Sequence, residues 1–129
     1  MAEEPPTLGR LLTAGFVAAA ASVAPVAAFM AMADYRQPDL VLIAFLFGMP
    51  VALLHAYLVG LPFYVVLREK WPLTWPRALL GGFLVGSAPA GVAAMLLVGP
   101  HPDMVWIAAA PGALGTIGAA AFRAMLGPR

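Results

Sequence analysis

The sequence lacks cysteine, and only 10% of its 129 residues are charged. Without cysteine, disulfide frameworks, cysteine-ligated zinc, iron–sulfur clusters and thiol catalysis are excluded. Seven Lys and Arg against six Asp and Glu leave a net charge of +1, which is too small for a protein that binds nucleic acid through basic charge. Soluble domains contain about 25% charged residues, so the composition excludes that class too.

Apolar sequence is what the chain has in excess. Hydrophobic residues make up 63% of it, and the mean hydropathy is +0.92. Four stretches, residues 11–33, 40–67, 78–102 and 104–122, contain no Asp, Glu, Lys or Arg, and each is long enough for the roughly 20 residues of a transmembrane helix. No alternation of polar and apolar residues indicates transmembrane strands. The sequence predicts an all-α polytopic protein of the lipid bilayer, a single membrane domain over 1–129 with four transmembrane helices at about 8–33, 39–68, 76–99 and 103–126.

The few basic residues predict the orientation of the chain. Positively charged loops stay in the cytoplasm. One side has Arg36 alone, and the other has six basic residues: Arg10, Arg68, Lys70, Arg77, Arg123 and Arg129. We therefore expect both termini in the cytoplasm, and the Ala-, Gly- and Pro-rich composition favours a bacterial inner membrane.

The first hydrophobic stretch could instead be a signal peptide. Residues 31–33, Ala-Met-Ala, have the pattern of a cleavage site. The stretch is longer than the usual 7–15 residues of such a peptide, and Glu3 and Glu4 precede it. We therefore expect the first helix to be retained.

Small residues recur at helical spacing in the third and fourth hydrophobic stretches. Gly82 and Gly86 form a G-x-x-x-G pattern, and Gly112 and Gly115 lie on one face of the following stretch. Such residues allow close approach of helices in lipid. The pattern is compatible with dimerisation, but packing inside a four-helix bundle is favoured.

A weak internal repeat accompanies these stripes. In each half of the chain an interior proline, Pro25 or Pro89, precedes a Pro-Asp pair at the same spacing, ending at Asp39 or Asp103. This similarity suggests two helical hairpins in tandem.

His55 is the one ionisable group expected near the middle of the membrane. Such a group is a candidate proton relay, haem ligand or hydrogen-bond donor to a quinone. The structural alternative, which we favour, is a neutral histidine bonded to a backbone carbonyl freed by Pro50, or to Ser87 or Thr116.

The remaining polar and aromatic candidates have simpler interpretations. Tyr57 and Tyr64 could stack on a cofactor ring, but packing against lipid or a neighbouring helix is favoured. Trp71 and Trp75 could contact a partner, or anchor the chain at the interface. A metal site built from Asp34, Asp39, His101 and Asp103 is not favoured, because helix capping explains Asp39 and Asp103. We predict no cofactor and no metal.

The sequence contains no motif of known catalytic chemistry. It has no carboxylate inside the membrane, which weakens an assignment as an ion-coupled carrier, and no phosphate loop, nucleophile elbow or metalloprotease signature. The leading hypothesis is a non-enzymatic accessory or scaffolding subunit that packs with a larger membrane complex or with itself. The alternative is a small carrier or channel with proline-broken helices and a titrating His55. A cofactor-binding redox subunit ranks third.

Overall fold

The computed structural model describes residues 6–33, 39–68 and 70–127. All regular elements in these residues are helices, and four helical segments are long and apolar enough to cross a membrane. The elements are α1 (Leu8–Ala33), α2 (Asp39–His55), a π-helical turn (Ala56–Gly60), α3 (Leu61–Leu67), α4 (Trp75–Val98) and α5 (Met104–Leu126).

The second span differs from the uninterrupted helix expected over 39–68. α2, the π-helical turn and α3 follow one another without a break and together are long and apolar enough to cross a membrane, with Val41–Leu67 as the apolar part. The π-helical turn comes immediately before Pro62, whose ring lacks an N–H and would collide with the carbonyl of Leu58 in a regular α-helix. The wider turn, in which the Leu61 N–H donates to the Ala56 carbonyl, moves the backbone out of that collision.

The helix ends only partly use the expected caps. The Thr7 hydroxyl accepts a hydrogen bond from the Arg10 amide at 3.3 Å, as expected for the first residue before a helix. The expected cap at Asp103 is wrong, because this residue has helical backbone angles and no side-chain cap. Its carboxylate instead lies 3.3 Å from Nδ1 of His101.

The four spans form an open ring. α4 packs closely along α5, α5 packs against α1, and α1 packs against the second span. The second span approaches α4 chiefly at the π-helical turn. The second and third spans are consecutive in the chain, yet a cleft separates them.

The α4–α5 contact is built from backbone atoms. A Cβ added to Gly82 or Gly115 would overlap the carbonyl oxygen of the other. A Cβ at Gly86 would overlap the Pro111 carbonyl oxygen and lie 3.2 Å from the Gly112 Cα. The four glycines therefore lie at the interface between two helices of one chain, where their missing side chains let the backbones touch.

α1 holds the ring together through polar contacts with both neighbours. The Ser22 hydroxyl lies 2.9 Å from the Ala18 carbonyl in its own helix and 3.0 Å from the Leu114 carbonyl of α5. On the other side, the Tyr57 hydroxyl donates to the Leu12 carbonyl at 2.8 Å, and the Tyr57 ring fills the space beside Gly15. These bonds fix α1 between α5 and the second span.

Removal of the Tyr57 hydroxyl should weaken the α1 contact measurably. Tyr57→Phe keeps the ring beside Gly15 but removes the donor, and interhelical hydrogen bonds in membranes are worth roughly 0.6 kcal/mol on average and up to about 1.7. We expect a loss of about 1 kcal/mol in the free energy of unfolding in mixed micelles. Thr13→Val is the control, since the Thr13 hydroxyl bonds only to Gly9 in its own helix; equal losses in both variants would contradict the interhelical role.

The described basic residues all lie at one end of the bundle, which we call the basic end. Arg10 donates to the Met125 and Leu126 carbonyls at the end of α5, at 2.9 to 3.4 Å, where a cation is favoured by the helix dipole. The two acidic residues of the described chain, Asp39 and Asp103, lie at the opposite end. The other members of the basic end are Arg68, Lys70, Arg77 and Arg123.

Candidate functional site

The cleft between the second span and α4 is the candidate functional site. It has a volume of about 790 Å³, within the range of roughly 300–1,000 Å³ typical of small-molecule sites. Its walls are largely apolar, with α1 and α5 at the back. Phe47 and Val51 line it and are 68% and 67% exposed, so the cleft is open along its side.

One hydrogen bond crosses the cleft. Nε2 of His55, at the end of α2, lies 2.6 Å from the backbone carbonyl oxygen of Val85 in α4. Pro89 follows Val85 by four residues and has no N–H, so this carbonyl has lost the donor that an α-helix would supply. His55 therefore supplies, from another span, the hydrogen bond that Pro89 removes.

This geometry assigns the proton on the imidazole. A carbonyl oxygen only accepts hydrogen bonds, so Nε2 carries the hydrogen. Nδ1 has no hydrogen-bond partner among the described residues. The sequence favoured a hydrogen bond from His55 to Ser87, to Thr116 or to a carbonyl freed by Pro50. In the structure, His55 instead bonds to the carbonyl freed by Pro89. The Ser87 and Thr116 hydroxyls bond to other backbone carbonyls.

Ligation of a cofactor by His55 would have to use Nδ1 or break the Val85 bond. Among the described residues the other histidine, His101, lies at the opposite end of the bundle, beside Asp103. No group of three metal-ligating side chains occurs in this part of the chain, and Asp34 lies outside the described residues.

The mouth of the cleft at the basic end contains two guanidinium groups. Arg68, Trp71 and Arg77 all line the cavity there. Nη1 of Arg77 donates to the Pro72 carbonyl at 3.3 Å, and its guanidinium carbon lies 5.9 Å from the centre of the Trp71 ring. The guanidinium of Arg68 forms no hydrogen bond or ion pair with another described residue. The cleft thus combines an apolar length with a cationic mouth.

The two tyrosines of the second span contact other helices of the same chain. Tyr57 bonds to α1, as described above. Tyr64 is 7% exposed, and its ring lies edge-on to Phe122 of α5 with the ring centres 5.3 Å apart. Both residues are placed as packing aromatics, and Tyr64 ties the end of the second span to a small core with Leu11 and Leu126.

Trp75 lies apart from the cleft, at the start of α4. The guanidinium of Arg123 lies 5.7 Å from the centre of its ring, a cation–π contact between α4 and α5. Arg123 is 5% exposed, and it also donates to the Gly127 carbonyl. Trp71 therefore lines the cleft whereas Trp75 contacts Arg123 outside it, although the two tryptophans are four residues apart.

Sequence reasoning missed the parts of the site that depend on backbone atoms. The sequence singles out His55 but not Val85. Every residue has a backbone carbonyl, so the residue type does not show which one accepts a hydrogen bond. The rule that a proline frees the carbonyl four residues earlier would have found Val85 from Pro89. Arg68 and Arg77 contributed only to the predicted orientation of the chain, since nothing in the sequence indicates that both line one cavity.

Comparison of the chain with protein-family models, with curated proteins and with solved structures finds no match in any of the three.

Proposed function

We propose that the protein is a non-enzymatic accessory subunit in a membrane. Through its second span it packs with a larger membrane complex or with a second copy of the chain. The observation that carries this proposal is that, within the described residues, α1 is the only span along which the second span packs extensively. Tyr64 adds a local contact with α5 near the basic end. The rest of the surface of this span is available to another membrane helix.

The outward face of the second span suits such a contact. Four of its leucines are exposed, and none of them lines the cleft. They are exposed to 65%, 62%, 60% and 70%, in the order Leu42, Leu46, Leu54 and Leu58. Exposed aliphatic residues along the length of a helix provide the van der Waals surface on which helix association in lipid depends.

The orientation and location follow from the distribution of charge. Since all described basic residues lie at the basic end, the positive-inside rule places that end in the cytoplasm. Both chain ends then face the cytoplasm, in agreement with the inner-membrane location favoured by the composition. The proposed tandem arrangement of two hairpins is supported by the packing of α1 with the second span and of α4 with α5.

Site-specific photo-crosslinking tests the accessory role. A benzoylphenylalanine placed at Leu46 or Leu54 should give a discrete crosslinked product in native membranes. The same probe at Leu96 of α4, which is 80% exposed, is the matched control and should not. A product of twice the chain mass would identify a second copy, and a larger one a different subunit. Equal, diffuse labelling at all three positions would show that lipid covers the second span and would overturn the proposal.

The cleft supports a second candidate function, a small carrier or channel in which His55 titrates. His55→Gln separates the two functions, because glutamine keeps a donor for the Val85 carbonyl but cannot take up a proton at neutral pH. An accessory subunit should keep its assembly and its effect on the complex in this variant. A carrier should lose proton-coupled flux in reconstituted vesicles.

A further inference from the structure

We infer that the cleft binds one anionic phospholipid, with the phosphate at the Arg68–Arg77 mouth and an acyl chain along the apolar walls. This inference is independent of the accessory role. It concerns the residues of the second span that are turned toward α4, and not its exposed leucines.

The two requirements of such a ligand occur in one cavity. A phospholipid presents a long apolar chain and a charged headgroup, and the cleft provides an apolar length and a cationic mouth. Phe63 of the second span and Leu84 of α4 both line it, and both lie between the mouth and the His55–Val85 bond in their helices. The side opening allows a chain to enter from the surrounding bilayer, so the ligand need not pass through water.

The charge at the mouth selects an anion. Arg68 is half-buried and has no ion pair with any described residue. Arg77 uses one nitrogen on the Pro72 carbonyl and leaves the others free to donate. Arginine forms paired hydrogen bonds with phosphate oxygens, and basic pockets between transmembrane helices at the cytoplasmic side bind anionic headgroups.

The depth of the cleft matches one leaflet. From Arg68 back to His55 the second span covers about 20 Å at roughly 1.5 Å per residue, and one leaflet with its headgroup region is about 20–22 Å thick. The His55–Val85 bond crosses the cleft at this depth. An acyl chain whose headgroup lies between the two arginines therefore reaches the level of this bond.

Native mass spectrometry of the intact chain from nanodiscs tests the inference. Phosphatidylglycerol and phosphatidylcholine with identical acyl chains are offered in equal amounts. We expect one retained phosphatidylglycerol, preferred over phosphatidylcholine by roughly 30-fold for two nearby cations. The double variant Arg68→Gln/Arg77→Gln should reduce this preference to less than about threefold.

Three further variants locate the bound lipid. Lys70→Gln removes one positive charge from the same loop. Because Lys70 does not line the cleft, the preference for phosphatidylglycerol should be unchanged. Gly81→Leu adds a side chain to the cleft wall, where Phe63 at 3.7 Å is the sole contact within 4 Å of an added Cβ, and should expel the lipid with both arginines intact. Glu69→Gln removes the acidic neighbour of Arg68 in the sequence, and binding should not fall.

Several outcomes would overturn the inference. Equal retention of the two lipids excludes recognition of the headgroup charge. A loss in Lys70→Gln as large as that in the double variant assigns binding to general surface charge, and retention in Gly81→Leu places the lipid outside the cleft. Recovery of a second copy of the chain, or of a foreign subunit, in place of lipid would identify a different occupant. Circular dichroism and the melting temperature show that each variant compared is folded.

Discussion

Gly86→Ala should lower the free energy of unfolding by about 2–3 kcal/mol, a large loss for the addition of one methyl group. The new Cβ would overlap the Pro111 carbonyl oxygen and lie 3.0 Å from the carbonyl carbon. These are backbone atoms, so relief requires movement of α5 as a whole. Overpacking of this kind typically costs about 1–3 kcal/mol. Equilibrium unfolding in mixed SDS–detergent micelles, followed by circular dichroism, measures the loss.

Gly91→Ala is the matched control for this prediction. It makes the same change in the same helix, but the nearest atom to the added Cβ is the Ala108 side chain at 3.6 Å, an ordinary contact. Since glycine inside a helix costs roughly 0.5–1 kcal/mol relative to alanine, this variant should be neutral or slightly stabilised. Similar losses in the two variants would show that the α4–α5 interface is looser than described. Gly86→Leu should yield no folded protein.

The second large effect is expected at His55, and it depends on Pro89. His55→Leu leaves the Val85 carbonyl without a donor, which costs about 1–3 kcal/mol for a buried acceptor. Pro89→Ala restores an amide that can donate to the same carbonyl within α4. In the Pro89→Ala background, His55→Leu should therefore cost less than about 0.5 kcal/mol. A double-mutant cycle on unfolding free energies gives the coupling energy.

The control for the cycle is a proline without this relation to His55. Pro25 is an interior proline of α1, and the carbonyl four residues before it is Ala21, to which no described side chain donates. In the Pro25→Ala background, His55→Leu should cost as much as in the natural sequence. A coupling of the same size with both prolines would mean that His55 stabilises the bundle generally and not through the Val85 carbonyl.

The number of spans could be predicted from the sequence, whereas their arrangement could not. Apolar stretches long enough to cross a bilayer are a property of composition, so the four spans follow directly. The pairing of helices depends on which faces touch. Gly118 illustrates this: it packs on Ala18 and Ser22 of α1, while Gly115, three residues earlier, packs on α4. No rule of spacing separates these two partners.

The candidate site was predictable in part, for a related reason. His55 is the only Asp, Glu, His, Lys or Arg in the interior of a described span, so the sequence alone singles it out. Its role depends on the position of a backbone oxygen in another span, and the cleft depends on two consecutive spans that do not pack together. The π-helical turn follows from Pro62 once the helix is known to continue through this residue, but proline could equally have ended the helix.

The α1–α5 contact also has a consequence for biosynthesis. α1 is synthesised before α5, which is one of its two neighbours in the ring, because Ser22 and Arg10 bond to carbonyls of α5. Until α5 is made, the Ser22 hydroxyl and the surface around Ala18 lack the contacts with α5 that they have in the complete ring. Closure of the ring through the α1–α5 contact therefore requires all four spans, whereas the contact of α1 with the second span requires only these two.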